Sequence, residues 1–245
     1  MKRILLITLE YPPQRGGVAS YYGGLVEELK RQGHEVDVIS RGLLLRWIWP
    51  RWLKGYFIAS RALRKTKYDF IFVGQVLPLG TVAYLLRQRA PYVVFTHGMD
   101  VLMAQRSWRK RWLTRRILQH AQMIVVNSEF TKGAVAQLIY RGSTSGVPEV
   151  EPRRIVVIYP CPNVDMVITP GDIDILRRKL GLTGKKVLLT LGRVVERKGH
   201  DLVLRALPEI LKHVPEVVYV VAGDGPDLGR LQGMVNAPHP SPLPR

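Results

Sequence analysis

The 245-residue sequence predicts an α/β protein made of two doubly wound parallel-sheet domains, the second incomplete. Three observations carry that expectation. Short apolar runs rich in β-branched residues alternate with stretches whose apolar residues recur at helical spacing. The alternation breaks over 161–184 and restarts at 185. It stops again near 235, where the chain turns proline-rich. Apolar strands alternating with helices require a parallel sheet covered on both faces.

The elements follow in order. RILLITLE (3–10) reads as a buried strand ending in a Pro-Gly turn. Residues 18–32 then place Tyr22, Leu25, Val26 and Leu29 on one helical face, and Gly33 ends the helix. EVDVIS (35–40), DFIFVGQ (69–75), YVVFTHG (92–98), MIVVNSE (123–129) and RIVVIYP (154–160) are the next strands, with helical patterns between them. These fill a first domain over 1–165. Residues 166–184, with Thr-Pro-Gly and the short charged helix LRRKLGL, have linker composition. KKVLLTLGRV (185–194), a helix over 201–213, EVVYVVAG (216–223) and a helix from 227 open a second domain spanning 185–235. At about 30 residues per strand–helix–strand unit, that stretch holds fewer than two units. Residues 236–245, with Pro238, Pro240, Pro242 and Pro244, continue neither helix nor strand. A truncation or altered reading frame is expected there rather than a natural tail.

Composition narrows the partners. The net charge of +18 and pI near 10.4 attract anions: phosphorylated ligands, lipid headgroups or nucleic acid. The excess is local, since between Asp37 and Glu129 the acids are Asp69 and Asp100 alone. LLLRWIWPRWLKGYF (43–57) and RSWRKRWLTRR (106–116) mix tryptophans with cations, a mixture suited to a bilayer interface. The competing reading is a solvated basic face with its tryptophans packed inward. No nucleic-acid recognition motif accompanies the charge, so nucleic acid is not expected. The lone cysteine, Cys161, fits a reducing compartment. The apolar run at the N-terminus is short for a signal peptide and no run approaches a spanning helix. A cytoplasmic protein, peripheral on the inner face of a membrane, is expected.

Four segments carry candidate chemistry. In YPPQRGGVAS (11–20), Gly16 and Gly17 let an anion approach the backbone at a helix N-terminus. In FTHGMDVL (95–102), His97 sits at the carboxyl end of a strand, where open α/β sheets bind ligands. In LGRVVERKGHDLVLRA (191–206), Arg193 and Lys198 are cations five residues apart on a strand-to-helix loop, able to straddle a diphosphate. In VVAGDGPDLGRL (220–231), Gly223 and Gly225 form a second glycine-rich turn, with Gly229 one position late for a dinucleotide fingerprint. Asp172-Ile-Asp174 has a metal-like spacing, but acids there suit a helix N-terminus.

Together the YPP-x-x-GG turn, GHEVDVIS, TLGR-x-x-x-RKG and VVAGDGP resemble the retaining glycosyltransferases of family 4, with YPCPNVD (159–165) resembling that family's interdomain junction. The resemblance covers residues 1–235, and its nearest group is the bacterial mannosyl- and glucosyltransferases of lipid-linked glycans. It implies the GT-B fold of two Rossmann-like domains. It places Gly16, Gly17, Arg193 and Lys198 against the donor diphosphate, His97 near the transferred sugar as the catalytic residue, and Gly223 and Gly225 on the nucleoside side. It implies a nucleotide-sugar donor such as GDP-mannose or UDP-glucose, a lipid-linked or saccharide acceptor, and an anionic membrane surface as partners. No cofactor and no metal are implied, because preorganised cations and helix N-termini can stabilise the leaving diphosphate. The family's pair of glutamates seven residues apart is absent, so residues 1–245 alone are expected to transfer no sugar. The alternatives are a nucleotide-sugar epimerase on the same scaffold, for which no convincing carboxylate set appears, and a non-catalytic fragment or binding module.

Overall fold

A computed structural model of the chain describes residues 1–14, 16–45, 49–104, 106–140, 154–161 and 168–236. Arg46 and Trp47 of the first basic run, 162–167 of the junction and linker, and the tail from 237 lie outside the described residues. By its internal contacts the chain divides into two compact units, Met1–Val164 and Asp165–Arg245.

The first unit is a six-stranded sheet: β1 (Arg3–Ile7), β2 (Glu35–Ile39), β3 (Phe70–Val73), β4 (Tyr92–Thr96), β5 (Met123–Val126) and β6 (Ile155–Val157). The order is β2-β1-β3-β4-β5-β6, and every pairing is parallel. The connections are α1 (Gly17–Arg31), α2 (Leu53–Lys65), α3 (Leu79–Leu86), α4 (Met99–Ala104), α5 (Trp108–Gln119) and α6 (Glu129–Tyr140). Alternate side chains of a strand point to opposite faces, and here both faces are buried. On β1, Ile4 and Leu6 join the α1 face with Tyr22 and Val26, while Leu5 and Ile7 join the face packed by α2, α3, α5 and α6. On β4, Val93 and Phe95 share the first face, and Tyr92 and Val94 the second. Truncating such a fully buried Leu or Ile to Ala costs about 2–5 kcal/mol.

This strand order fixes where a ligand can sit. The chain leaves β1 towards β2 on one side and resumes from β1 towards β3 on the other. In doubly wound sheets, a crevice opens outside the carboxyl ends of the strands at such a switch point. The loops after β1, β3 and β4 therefore converge, and they carry Gly16, Gly74 and His97.

The second unit holds α7 (Pro170–Lys179), β7 (Lys186–Leu191), a 3-10 turn (Glu196–Lys198), α8 (His200–His213), β8 (Val217–Ala222) and α9 (Leu228–Asn236). Thus a helix occupies part of the segment read as linker. Its start is a capping box: Asp172 N donates to Thr169 Oγ1 at 3.3 Å and Thr169 N to Asp172 Oδ2 at 2.9 Å, with Pro170 at the first helical position. The Thr169 hydroxyl and amide hold the Asp172 carboxyl below its usual range, so this acid serves as a helix cap. β7 and β8 pair in parallel from Lys186–Val217 to Leu191–Ala222. Among the described residues of this unit, the buried side chains are Val194, His200 and Leu231. Leu189 and Leu191 stand 62% and 79% exposed, so β7 carries an open apolar face.

Candidate functional site

In the first unit the candidate site grows from the loops at the switch point. After β1, Thr8 Oγ1 donates to the Glu10 carbonyl at 3.1 Å, and Gln75 Oε1 accepts from Leu9 N at 3.3 Å, tying this loop to the one after β3. Gly16 caps α1 without a side-chain hydrogen bond, and the first turn of α1 carries no acid. Among the described residues the start of α1 thus has no side-chain cap, and its positive dipole end lies at the end of the loop after β1. A methyl group added at Gly17 would meet nothing within 4 Å, so the fold itself does not require glycine there.

His97 follows β4 and is held from three directions. Its Nε2 lies 2.8 Å from Tyr22 Oη, and Tyr22 Oη donates to the Gly74 carbonyl at 2.8 Å. A phenol has one proton, and the carbonyl can only accept. The His97 Nε2–H must therefore donate to Tyr22 Oη, leaving Nδ1 as an acceptor with no protein partner among the described residues. The rings of Tyr21 and Tyr22 meet the imidazole edge-on at 5.4 and 5.5 Å. Burial holds the His97 pKa below 6.5, opposed by the charges of Asp100 and Glu10. The imidazole is accordingly neutral at neutral pH.

Asp100, which the sequence reading did not single out, organises this loop. Its Oδ1 accepts from His97 N at 3.2 Å and Val101 N at 3.0 Å, and its Oδ2 from Val76 N at 3.3 Å. One carboxylate so joins the loops after β3 and β4. Burial raises its pKa, and these amides offset part of the rise. The available signal was an acid in the first turn of a short helix, three residues after His97. Tyr22 gave no signal beyond a helical face, because its partner lies 75 residues away.

In the second unit, Arg193 lies on the loop after β7 and Lys198 ends the 3-10 turn before α8. Both are exposed, and neither makes an ion pair among the described residues. Their loop is braced from below. Gly192 N donates to the Ala222 carbonyl at 3.0 Å and Val194 N to the Asp224 carbonyl at 2.9 Å, extending the β7–β8 pairing into both loops. The approach is so close that a Cβ on Gly223 would fall 1.8 Å from the Gly192 carbonyl oxygen, and one on Gly225 2.1 Å from that of Val194. Both glycines therefore have a steric role in supporting the cationic loop. Buried His200 adds a second brace: Nε2 reaches the Arg193 carbonyl at 3.4 Å and Nδ1 reaches Tyr219 Oη at 3.3 Å, which in turn meets Thr190 Oγ1 at 2.9 Å. The sequence reading passed over His200 and Tyr219, whose pairing is tertiary.

Residues 15–165 match the family described as Glycosyltransferase Family 4, and residues 172–239 match Glycosyl transferases group 1. The chain belongs to Glycosyltransferase Family 4. A GDP-mannose-dependent α-(1-6)-phosphatidylinositol monomannoside mannosyltransferase of Mycolicibacterium smegmatis is 28% identical over 270 residues, covering 95% of this chain and 64% of that protein. The α-monoglucosyldiacylglycerol synthase of Streptococcus pneumoniae is 24% identical, with coverages of 94% and 57%. The chain thus spans less than two thirds of the length of these curated relatives. Among solved structures, the HepE protein of Anabaena in complex with UDP superposes with a TM-score of 0.65 at 18% identity, over 96% of this chain and 65% of that one. The catalytic domain of starch synthase IV from Arabidopsis thaliana, bound to ADP and acarbose, gives 0.62 at 15% identity, over 100% and 74%. The fold is GT-B, and these matches give the epimerase alternative no support.

Among the described tryptophans of the basic runs, three do not pack inward. Trp49, Trp108 and Trp112 are 86%, 71% and 59% exposed, while Trp52 packs against the core. The guanidinium of Arg109 lies 5.3 Å from the Trp108 ring and that of Arg116 5.7 Å from Trp112. Among the described residues, no helix is long and apolar enough to cross a membrane.

Proposed function

We propose that the protein transfers a hexose from a nucleotide-diphosphate sugar to a lipid-linked or saccharide acceptor, with retention of configuration, at the cytoplasmic surface of a membrane. The observation that carries this reading is the braced loop of Arg193 and Lys198: two exposed cations without ion-pair partners among the described residues, held by the Gly223–Gly225 turn and by His200. Breaking the bond to the anomeric carbon builds negative charge on the diphosphate, and fixed cations stabilise that charge most when little reorganisation is needed. Arg193 would grip through its fork and Lys198 as a point charge. The backbone amides at Gly16 and Gly17 would face a donor phosphate. His97, neutral and with Nδ1 open, would accept a hydrogen bond from a hydroxyl of the transferred sugar. Relatives named for GDP-mannose and for lipid acceptors support the donor and acceptor classes, and the exposed tryptophans among cations support the membrane location.

The test compares nucleoside diphosphates with monophosphates by calorimetry on the full chain. GDP or UDP should bind about tenfold or more tightly than GMP or UMP, because the second phosphate gains charge-assisted hydrogen bonds. Equal affinities, or no binding of either diphosphate, would count against the reading.

A further inference from the structure

The chain turns into α8 just past Lys198, and the turn brings a buried imidazole back to Arg193. Gly199 has φ 68°, in the left-handed region that favours glycine. On one side of it Lys198 is exposed, and on the other His200 is 1% exposed. The peptide that follows Arg193 is held at both edges. Its carbonyl oxygen accepts from Val195 N at 3.1 Å and lies 3.4 Å from His200 Nε2. Its N–H, that of Val194, donates to the Asp224 carbonyl at 2.9 Å. The Lys198 end is tied by backbone: Lys198 N donates to the Val195 carbonyl and Gly199 N to that of Glu196, each at 2.9 Å. Of these ties, the one from His200 is made by a side chain, and it joins the two cationic ends of the loop.

The direction of that tie follows from the donor inventory. A carbonyl can only accept, so Nε2 carries a proton. In a neutral ring Nδ1 is then an acceptor, and Tyr219 Oη, 3.3 Å away, donates to it. Tyr219 has no second proton, so Thr190 Oγ1, at 2.9 Å, donates to Tyr219. One directed chain thus runs from β7 through β8 and α8 to the Arg193 carbonyl. An apolar side chain at 200 would fill the same space with no partners to satisfy, so packing alone does not account for an imidazole there.

A diphosphate presents two anionic groups at a spacing set by the bridging oxygen, and it therefore senses the separation of two cations. A monophosphate needs only one of them. We propose that His200 is a positioning residue of the diphosphate site: its bond to the Arg193 carbonyl fixes the separation at which Arg193 and Lys198 meet one diphosphate, and Tyr219 and Thr190 set the direction of that bond. The inference rests on the reading of Arg193 and Lys198 as diphosphate ligands.

The experiment titrates GDP and GMP calorimetrically into the full chain. His200→Leu removes the donor, whereas His200→Gln keeps an amide N–H about as far along the side chain as Nε2. His200→Leu should weaken GDP binding about fivefold, the loss of one hydrogen bond of ordinary strength, and leave GMP binding unchanged. His200→Gln should restore most of the GDP affinity. In an Arg193→Ala background, His200→Leu should cost nothing further, because the two changes act on one contact. A merely structural role would weaken GDP and GMP alike, in both backgrounds. Tyr219→Phe tests the chain without altering residue 200: GDP binding should fall, and nitrogen NMR should show the pure Nε2–H tautomer of His200 in wild type giving way to a mixture. The proposal is overturned if His200→Leu binds GDP as tightly as wild type, if His200→Gln rescues nothing, if the loss persists in full beside Arg193→Ala, or if wild type holds the Nδ1–H tautomer. Wild type that binds GDP no more tightly than GMP would sink the transferase reading and this proposal with it. A preference for GDP that Arg193→Ala weakens and His200→Leu does not would sink this proposal alone.

Discussion

Tyr22 Oη and His97 Nε2 lie 2.8 Å apart, so a residue in the first helix fixes the tautomer of the imidazole that follows the fourth strand. The arrangement works only in one direction, because Tyr22 spends its proton on the Gly74 carbonyl. Tyr22→Phe keeps the ring that packs between Phe95 and His97 and removes the oxygen. Stability should fall by about 1–2 kcal/mol, as Nε2–H and the Gly74 carbonyl lose partners. The His97 ring nitrogens should show mixed tautomers by NMR. An unchanged spectrum would mean that the tautomer is set elsewhere.

The depressed pKa of His97 predicts a pH dependence with a definite sign. The unfolded ring binds protons more readily than the folded one, so stability is full above the unfolded value near 6.5 and falls as pH drops through the window beneath it. Asp100, raised from 3.8, contributes oppositely: its share is present at low pH and lost as pH rises through its folded value. His97→Gln should flatten the slope just below pH 6.5, measured by denaturant melts at a series of pH values. The same slope in wild type and variant would contradict the assignment.

Gly17 separates folding from ligand binding. Since a Cβ there meets nothing within 4 Å, Gly17→Ala should leave the melting temperature unchanged or slightly raised, glycine being the weaker helix former by about 1 kcal/mol. If a donor phosphate approaches this backbone, the same variant should bind nucleoside diphosphates more weakly. Unchanged affinity would remove Gly17 from the site.

The second glycine turn behaves in the opposite way. Gly225→Ala would force a methyl group against the Val194 carbonyl, costing about 1–3 kcal/mol or more. Amide exchange over residues 186–200 should rise sharply. Gly229→Ala is the control, because its Cβ would face open space on α9. Equal exchange in the two variants would show that the β7 and β8 loops are not mechanically joined.

The strand pattern was legible because β1 and β4 are buried on both faces and read as continuous apolar runs, Ile4–Ile7 and Tyr92–Phe95. The strand-to-helix turns were legible too, since glycines and cations after an apolar run mark where ligands approach a sheet. What held those residues in place was not legible. Tyr22 and His97 are 75 residues apart, and His200 and Tyr219 are 19 apart, with neither pair carrying a local signature. Gly223 and Gly225 show the same limit from the other side: a glycine demanded by a neighbouring backbone looks, in sequence, like one demanded by a ligand. The helix of 170–179 was under-read, because the cap formed by Thr169 and Asp172 lies within a proline- and glycine-rich stretch of linker composition.

The central claim is that Arg193 and Lys198 form a diphosphate site, and the most direct measurement is calorimetric titration of GDP and UDP into wild type, Arg193→Ala and Lys198→Ala. Both side chains are exposed and make no ion pair among the described residues, so neither change should disturb the fold. Each should weaken diphosphate binding by about tenfold or more, the loss of one charge-assisted contact, with Arg197→Ala far less affected. Wild-type affinity in both the Arg193 and Lys198 variants would contradict the account.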